Sequence, residues 1–374
     1  MELFELVMQA CPASLATIGM AKNTGKTVTL NYLIRKAHGA GLPMGITSIG
    51  RDGEKEDAVT REPKPAIWAP EGALVATVAR AGEPATAAGA GRSGAADAAT
   101  GPSASLGLVE ETPFMTAVGP VGIFRVIEPG EVEVIGPDTR SQMAATVQAL
   151  QRLGARLVLV DGAVDRVASA APMLAEAVIL VTGAVLAPDP LEVARRTAAR
   201  VEILGLPAVE DAALAGEARR IIDGGRIGFL RGNSGAVLLP YETALGKARE
   251  IARSFAAGSS GAGSPGAGSS KGGSSAALAV AGAVTDSLLL ELASAVPGAV
   301  VIVQDSTRVQ VSPGPYSLFR RRGGAIRVLD PIRILAVTVN SYAAGRGVSF
   351  EPREFLRLMQ DRLRPLPVFD LIKS

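Results

Sequence analysis

Ala16-Thr17-Ile18-Gly19-Met20-Ala21-Lys22-Asn23-Thr24-Gly25-Lys26-Thr27, continued by Val28-Thr29-Leu30-Asn31-Tyr32-Leu33-Ile34-Arg35, decides the fold. An apolar run, Leu15 to Ile18, enters a turn that ends in Gly25-Lys26-Thr27. Val28, Leu30, Leu33 and Ile34 then recur as the apolar side of a helix. Strand, glycine-containing loop and helix together form the context in which Gly-Lys-Thr acts as a phosphate loop. Backbone N–H groups at the helix start face an anion there, and the helix dipole favours negative charge. Lys26 would reach the outer phosphates of a nucleotide, and the Thr27 hydroxyl would ligate Mg²⁺. Lys22, Asn23, Thr24, Gly25 and Val28 complete the expected cradle. The usual spacing asks for glycine at position 20, where this chain has Met20, with Gly19 one residue early.

The bulk numbers narrow the context. A length of 374 residues suggests about two domains. The chain is 48% hydrophobic but only 4% aromatic, so its core must be built from Ala, Val, Leu and Ile. A formal net charge of +2 gives no general electrostatic case for nucleic acid or an anionic membrane. Cys11 and His38 are the only residues of their kinds, which excludes an internal disulfide and the usual Cys/His zinc sites. His38 reads as a helix C-terminal residue and Cys11 as a small buried one. The acidic opening Met1-Glu2-Leu3-Phe4-Glu5 does not read as the basic and apolar start of a signal peptide. No uncharged apolar run reaches the roughly 18 residues of a membrane span. The expectation is a soluble, cytoplasmic protein.

In chain order, Leu3 to Ala10 reads as a short helix ahead of the first strand. The phosphate-loop helix stops at Gly39-Ala40-Gly41-Leu42-Pro43, and Met44 to Ile49 is a strand. That strand leads into Gly50-Arg51-Asp52-Gly53-Glu54, at the strand end where ligands bind in open α/β sheets. Asp52 would order a metal-bound or attacking water there, although an ordinary surface turn reads equally well. Residues 82–105 are almost devoid of large apolar side chains and read as a mobile insertion. Ala117 to Val126 and Val132 to Ile135 read as a hairpin around Glu128-Pro129-Gly130-Glu131. Asp138 or Thr139 caps a helix from Ser141 to Leu153.

Leu157-Val158-Leu159-Val160-Asp161-Gly162 is the second informative stretch. Four apolar residues followed by Asp describe a buried parallel strand with a carboxylate at its C-terminal end. In a nucleotide site Asp161 would hold the Mg²⁺ shell, and the Gly162 N–H would approach the terminal phosphate. Asp165 and Arg166 read either as support behind that shell or, more plainly, as a surface ion pair. Further strands are expected at Ala177–Thr182, Ala299–Val303, Ile332–Val339 and Leu366–Leu371. Further helices are expected at Leu191–Leu204, Tyr241–Phe255, Asp286–Ala295 and Pro352–Leu363. Residues 257–275 are Gly, Ala and Ser with one Pro and one Lys, a flexible linker by composition. The domain reading is therefore a nucleotide-binding core over 1–256, that linker, and an α/β segment over 276–374. The last segment either forms a lobe of its own or finishes the sheet begun at residue 15.

Gly19 to Thr27, Thr47-Ser48-Ile49-Gly50-Arg51-Asp52-Gly53-Glu54 and Leu159 to Arg166 resemble a family. It is the ATP-binding reactivase subunit associated with adenosylcobalamin-dependent lysine 5,6-aminomutase. Ala336-Val337-Thr338-Val339-Asn340, Ser349-Phe350-Glu351-Pro352 and Leu366-Pro367-Val368-Phe369-Asp370 fit the same resemblance. More broadly, the set is similar to the P-loop NTPase class that contains dethiobiotin synthetase and the molybdopterin-guanine dinucleotide adapter protein. The resemblance implies an α/β fold with a mostly parallel sheet, helices on both faces and flexible Ala/Gly/Ser insertions. It implies ATP and Mg²⁺ as cofactors, with Lys26, Asp52 and Asp161 catalytic and Thr27, Asp161 and Asp52 at the metal. Asn340, after a late strand, would touch the nucleotide base. The implied partners are a cobalamin-dependent aminomutase and a second reactivase subunit.

Such a subunit would couple ATP to a conformational change that releases damaged cobalamin. That requires ATP to bind two conformations with different affinity, or hydrolysis to reset the cycle. Two other readings stand beside it: an ATP-dependent ligase or kinase similar to dethiobiotin synthetase, and a nucleotide-binding scaffold without hydrolysis. The ligase predicts extra cations beside the γ-phosphate, for which only Lys22 and Arg51 are candidates. No Asn-Lys-x-Asp run is present to read guanine, which leans towards adenine.

Overall fold

The computed structural model describes residues 1–49, 66–78, 102–162, 175–230, 235–259, 277–343 and 346–371. They divide into two compact units, residues 1–198 with 333–374, and residues 199–332. The division does not follow composition. The first unit resumes at Arg333, and Ala257 to Ser259 end a helix instead of opening a linker.

The first unit begins with α1 (Leu3–Ala10), β1 (Ser14–Gly19), α2 (Lys26–Gly39) and β2 (Met44–Ser48). It continues through β3 (Ile67–Ala69), β4 (Leu74–Val78), β5 (Ser105–Thr116), β6 (Gly119–Glu128), β7 (Gly130–Val132) and α3 (Arg140–Arg152). Next come β8 (Leu157–Asp161), β9 (Ala177–Gly183) and α4 (Pro190–Leu204), which runs past the unit's boundary. The second unit holds α5 (Ala212–Asp223), β10 (Ile227–Leu230), β11 (Ala236–Leu238), α6 (Ala248–Ser259), β12 (Ala277–Val280) and β13 (Val284–Thr285). It ends with α7 (Asp286–Ala295), β14 (Val300–Val303), β15 (Val309–Gln310), α8 (Pro313–Arg321) and β16 (Ala325–Val328). The chain then returns to the first unit as β17 (Ile334–Asn340), β18 (Tyr342–Ala343), β19 (Val348–Ser349), α9 (Pro352–Leu363) and β20 (Val368–Asp370).

A nine-stranded sheet of order β20-β17-β9-β1-β8-β2-β4-β6-β5 organises the first unit. Neighbours from β20 to β4 are parallel, and β6 and β5 add an antiparallel edge. The parallel strands are buried on both faces, which is why β1, β8 and β9 read as nearly continuous apolar runs. Side-chain alternation sorts the helices. Leu30, Leu33 and Ile34 of α2 share one core cluster with Leu15, Ile46 and Leu159. Gly45 points the other way, and a Cβ on it would lie 3.2 Å from Leu150 of α3. Helices α2 and α3 therefore cover opposite faces. Each fully buried Leu or Ile on α2 contributes about 1.5–3 kcal/mol.

β1 lies between β8 and β9. The chain leaves β1 towards β2 on one side, and later moves from β8 across β1 to β9 and β17 on the other. The strand order thus switches direction beside β1, the place where open α/β sheets form a ligand crevice at their C-terminal ends. The segment 334–370 joins this sheet, whereas 277–328 builds a second one.

The second unit has a five-stranded sheet of order β11-β10-β12-β14-β16, with β12, β14 and β16 parallel. Alternation again assigns the faces. Leu278, Val280, Val301 and Val303 pack with Phe255, Leu288, Leu292 and Phe319 of α6, α7 and α8. Ala277, Ala279 and Ile302 pack with Ala218 and Ile221 of α5.

Two sequence expectations need correction. The hairpin is β5–β6, turned at Ala117-Val118, and not a pairing of residues 117–126 with 132–135. β7 pairs antiparallel with β3 instead. Gly130 admits the backbone of 102–104 so closely that a Cβ would lie 2.4 Å from the Pro102 carbonyl oxygen. The stretch read as a mobile insertion also ends earlier, since Ala104 N–H donates to Glu131 at 2.9 Å and β5 starts at Ser105. Residues 82–101 lie outside the described residues.

Candidate functional site

The Gly25-Lys26-Thr27 turn sits at the C-terminal end of β1, where α2 begins. Gly25 is the helix N-cap at φ 100°, and Asn23 also has a positive φ of 60°. No side chain caps the helix, and Thr29 N–H to the Gly25 carbonyl, 3.1 Å, is its first backbone bond. The N–H groups ahead of that bond, on Lys26, Thr27 and Val28, point out of the helix end. A positive dipole end with outward N–H groups suits an anion.

The departure at Met20 now has a physical account. Gly19, not residue 20, fills the close-packed position. A Cβ on Gly19 would lie 2.8 Å from Thr24 Oγ1 and 3.0 Å from Lys26 Cγ and Cδ. Met20 lies just past the strand's end, its N–H donating to the Val181 carbonyl of β9 at 2.9 Å. The loop is one residue longer than the usual spacing, and the left-handed residue Asn23 lies within that longer turn. Thr24 is buried, and its hydroxyl donates to the Ala21 carbonyl at 3.2 Å. Lys22 and Asn23 are exposed at the loop's tip, while Thr27 and Val28 are half-buried in the first turn of α2.

Asp161 ends β8, directly beside β1, with Thr17 and Ser48 as its cross-strand neighbours. Lys26 Nζ lies 3.8 Å from Asp161 Oδ1 and donates a hydrogen bond to the Gly162 carbonyl. Both charged side chains are only 11% exposed. The Gly162 N–H does not face the loop. It donates to the Thr17 carbonyl at 3.0 Å and extends the β1–β8 ladder. Asn340, at the end of β17, approaches the loop from the other side, 3.7 Å from where a Gly25 Cβ would stand. Its Oδ1 accepts the Tyr342 N–H at 2.9 Å, which leaves the amide nitrogen as its donor towards the loop.

Lys26, Asp161, Gly162, Gly25 and Asn340 thus converge from three separate stretches of chain. Asp52, the third expected catalytic and metal residue, lies outside the described residues, as do Arg51, Asp165 and Arg166. Sequence reasoning missed Thr17. Its side chain shares a sheet face with Asp161, is fully buried, and makes no hydrogen bond among the described residues. The available signal was a threonine inside an otherwise apolar strand. Gly183 was missed too; a Cβ there would lie 2.4 Å from the Asn340 carbonyl oxygen, so the β9–β17 corner closes only around glycine.

Chemically, the arrangement offers a dipole end, a cation, two hydroxyls and a carboxylate. The Thr27 hydroxyl and the Asp161 carboxylate are hard oxygen donors of the kind Mg²⁺ takes. Among the described residues no three acidic, His or Cys side chains cluster to hold a metal by themselves. No described helix is long and apolar enough to cross a membrane. Comparison with protein-family models, with curated proteins and with solved structures gives no match.

Proposed function

We propose that this chain binds ATP with Mg²⁺ at the β1–α2 turn and serves as the ATPase subunit of a reactivase for a cobalamin-dependent aminomutase, acting with a second subunit. One observation carries the nucleotide part. Lys26, at the first residue of α2, meets the Asp161–Gly162 end of the neighbouring strand across a glycine-lined turn. Gly19 makes room for Thr24 and the Lys26 stem, Gly25 gives the turn its positive φ, and Lys26 would supply the countercharge for phosphate oxygens. Thr27 and Asp161 fit the metal through hydroxyl and carboxylate oxygens, with the remaining positions left to phosphate and water, as is usual for Mg²⁺. The bound ion would supply charge neutralisation at the outer phosphates. Asn340 would offer its amide N–H to an acceptor on the base.

The reactivase part rests on the sequence resemblance. A nucleotide drives release of damaged cofactor by binding one conformation more tightly than another. The test is calorimetry with Mg·ATP, followed by hydrolysis assays with and without the aminomutase carrying inactivated cobalamin. Lys26→Ala is expected to weaken ATP binding at least tenfold, about 1.4 kcal/mol. The aminomutase is expected to stimulate hydrolysis. Equal ATP affinity in wild type and Lys26→Ala would remove the nucleotide reading. Binding without any aminomutase effect would remove the reactivase reading alone.

A further inference from the structure

We infer that Thr17 is a positioning residue for the Asp161 carboxylate, its hydroxyl donating to a carboxylate oxygen when Asp161 holds the divalent cation; the inference rests on the nucleotide reading above. Thr17 is fully buried, and its hydroxyl makes no hydrogen bond among the described residues. Every other buried threonine described has a partner. Thr47 and Thr77, in β2 and β4, donate to backbone carbonyls at 3.4 and 3.0 Å. Thr29 meets Thr338, and Thr182 meets Thr197, hydroxyl to hydroxyl at 2.9 Å. An unmatched hydroxyl sealed from water costs stability, and valine has the same shape without that cost. A strand that keeps threonine there breaks a folding rule in the way functional sites do.

The position of Thr17 says which function. Thr17 and Gly19 face the same side of β1, and Thr24 and the Lys26 stem occupy the space above Gly19. The hydroxyl therefore lies beneath the Gly25 turn. Its cross-strand neighbour on that face is Asp161. Adjacent strands stand about 4.8 Å apart, so rotation about a side-chain bond brings hydroxyl and carboxylate together. The register is fixed on both sides. Gly162 N–H donates to the Thr17 carbonyl at 3.0 Å, and Ile179 of β9 pairs with Thr17 across the other edge. Asp161 already lies 3.8 Å from Lys26 Nζ. A carboxylate accepts several hydrogen bonds at once, so a bond from Thr17 adds to the contacts that Asp161 makes. Bonds of this kind orient a carboxylate that ligates a metal, and losing one costs about 10–100-fold in metal affinity or activity.

The experiment measures ATP affinity by calorimetry in saturating Mg²⁺ and again in EDTA, for wild type, Thr17→Val, Thr17→Ser, Asp161→Asn and Thr17→Val with Asp161→Asn. Thermal melting is recorded for each. Thr17→Val is expected to lose about tenfold in affinity with Mg²⁺ and to stay within about twofold in EDTA. It should melt no lower than wild type, because the unmatched hydroxyl is gone. Thr17→Ser, which keeps the hydroxyl, should bind Mg·ATP within about threefold of wild type. In the Asp161→Asn background, Thr17→Val should change Mg·ATP affinity by less than about twofold, since the two residues act as one unit. The inference is overturned if Thr17→Val binds Mg·ATP as wild type does, or loses equally in EDTA. It is also overturned if the full loss persists without the Asp161 carboxylate, or if Thr17→Ser is as weak as Thr17→Val. Those outcomes leave the nucleotide reading standing, because wild type still binds ATP. Wild type that binds ATP in neither condition removes the nucleotide reading and this inference with it.

Discussion

Gly19 and Met20 carry opposite duties although they are neighbours. Gly19 must lack a side chain, because Thr24 Oγ1 and the Lys26 stem occupy the space a Cβ would fill. Met20 follows the last residue of β1 and is anchored by its N–H to the Val181 carbonyl. Gly19→Ala is expected to displace Thr24 or Lys26 and to weaken Mg·ATP binding at least tenfold, about 1.4 kcal/mol. Met20→Gly, which restores the usual spacing on paper, should leave affinity within about twofold, since residue 20 has no positive φ to relieve. Calorimetry on both variants decides; a tighter Met20→Gly would show that the loop's grip is limited by that methionine. The strand, turn and helix around Gly25 were legible in the sequence because Gly-Lys-Thr after an apolar run imposes its own local geometry. The role of Gly19 was not, because it depends on where the Lys26 side chain folds. Thr17 escaped for a similar reason: it gains meaning only from Asp161, on a strand more than a hundred residues later.

Helix α2 is tied to its surroundings by polar contacts that no single stretch of sequence reveals. Thr29 and Thr338 are both buried, and their hydroxyls lie 2.9 Å apart, joining α2 to β17. Thr29→Val or Thr338→Val alone leaves one buried hydroxyl without its partner and should cost about 1–3 kcal/mol. The double valine variant should come within about 1 kcal/mol of wild type, because both polar groups are then gone. Trp68 is the only tryptophan. Its backbone N–H donates to Asn31 Oδ1 on α2 at 3.0 Å, and Arg35 stands 4.6 Å over its ring, so its fluorescence in urea reports this helix leaving the sheet. A double variant as unstable as the sum of the singles would show that the pair contributes packing rather than a hydrogen bond. Elements with continuous apolar runs, such as β8 and β9, were plain in the sequence. β5 was not: Glu110, Glu111 and Pro113 break its apolar pattern, and from Glu111 to Thr116 one face is exposed and the other only half-buried. A half-buried face of an edge strand tolerates polar residues such as Thr112 and Thr116, so its alternation leaves little apolar signal in the sequence.

At the level of the whole chain, the informative fact is which distant segments become neighbours. β9 and β17 pair in parallel from Val178 to Gly183, although residues 184–333 separate them in sequence. That pairing brings Asn340 against the Gly25 turn, as the β1–β8 pairing brings Asp161 against Lys26. A site assembled in this way should respond to its ligand in several places at once. Hydrogen exchange followed by mass spectrometry is expected to slow on adding Mg·ATP over residues 20–29, 158–162 and 340–343. Local openings that expose these amides become rarer when a ligand binds only the closed form. Slowing confined to residues 20–29 would detach Asn340 and the β17 corner from the site and leave the base without its proposed donor. Slowing over the first two stretches in Asn340→Ala, with loss of the third, would instead place the contact at that side chain. The sheet order makes this a strong test, because the three stretches share no sequence proximity and are joined only through β1, β8, β9 and β17.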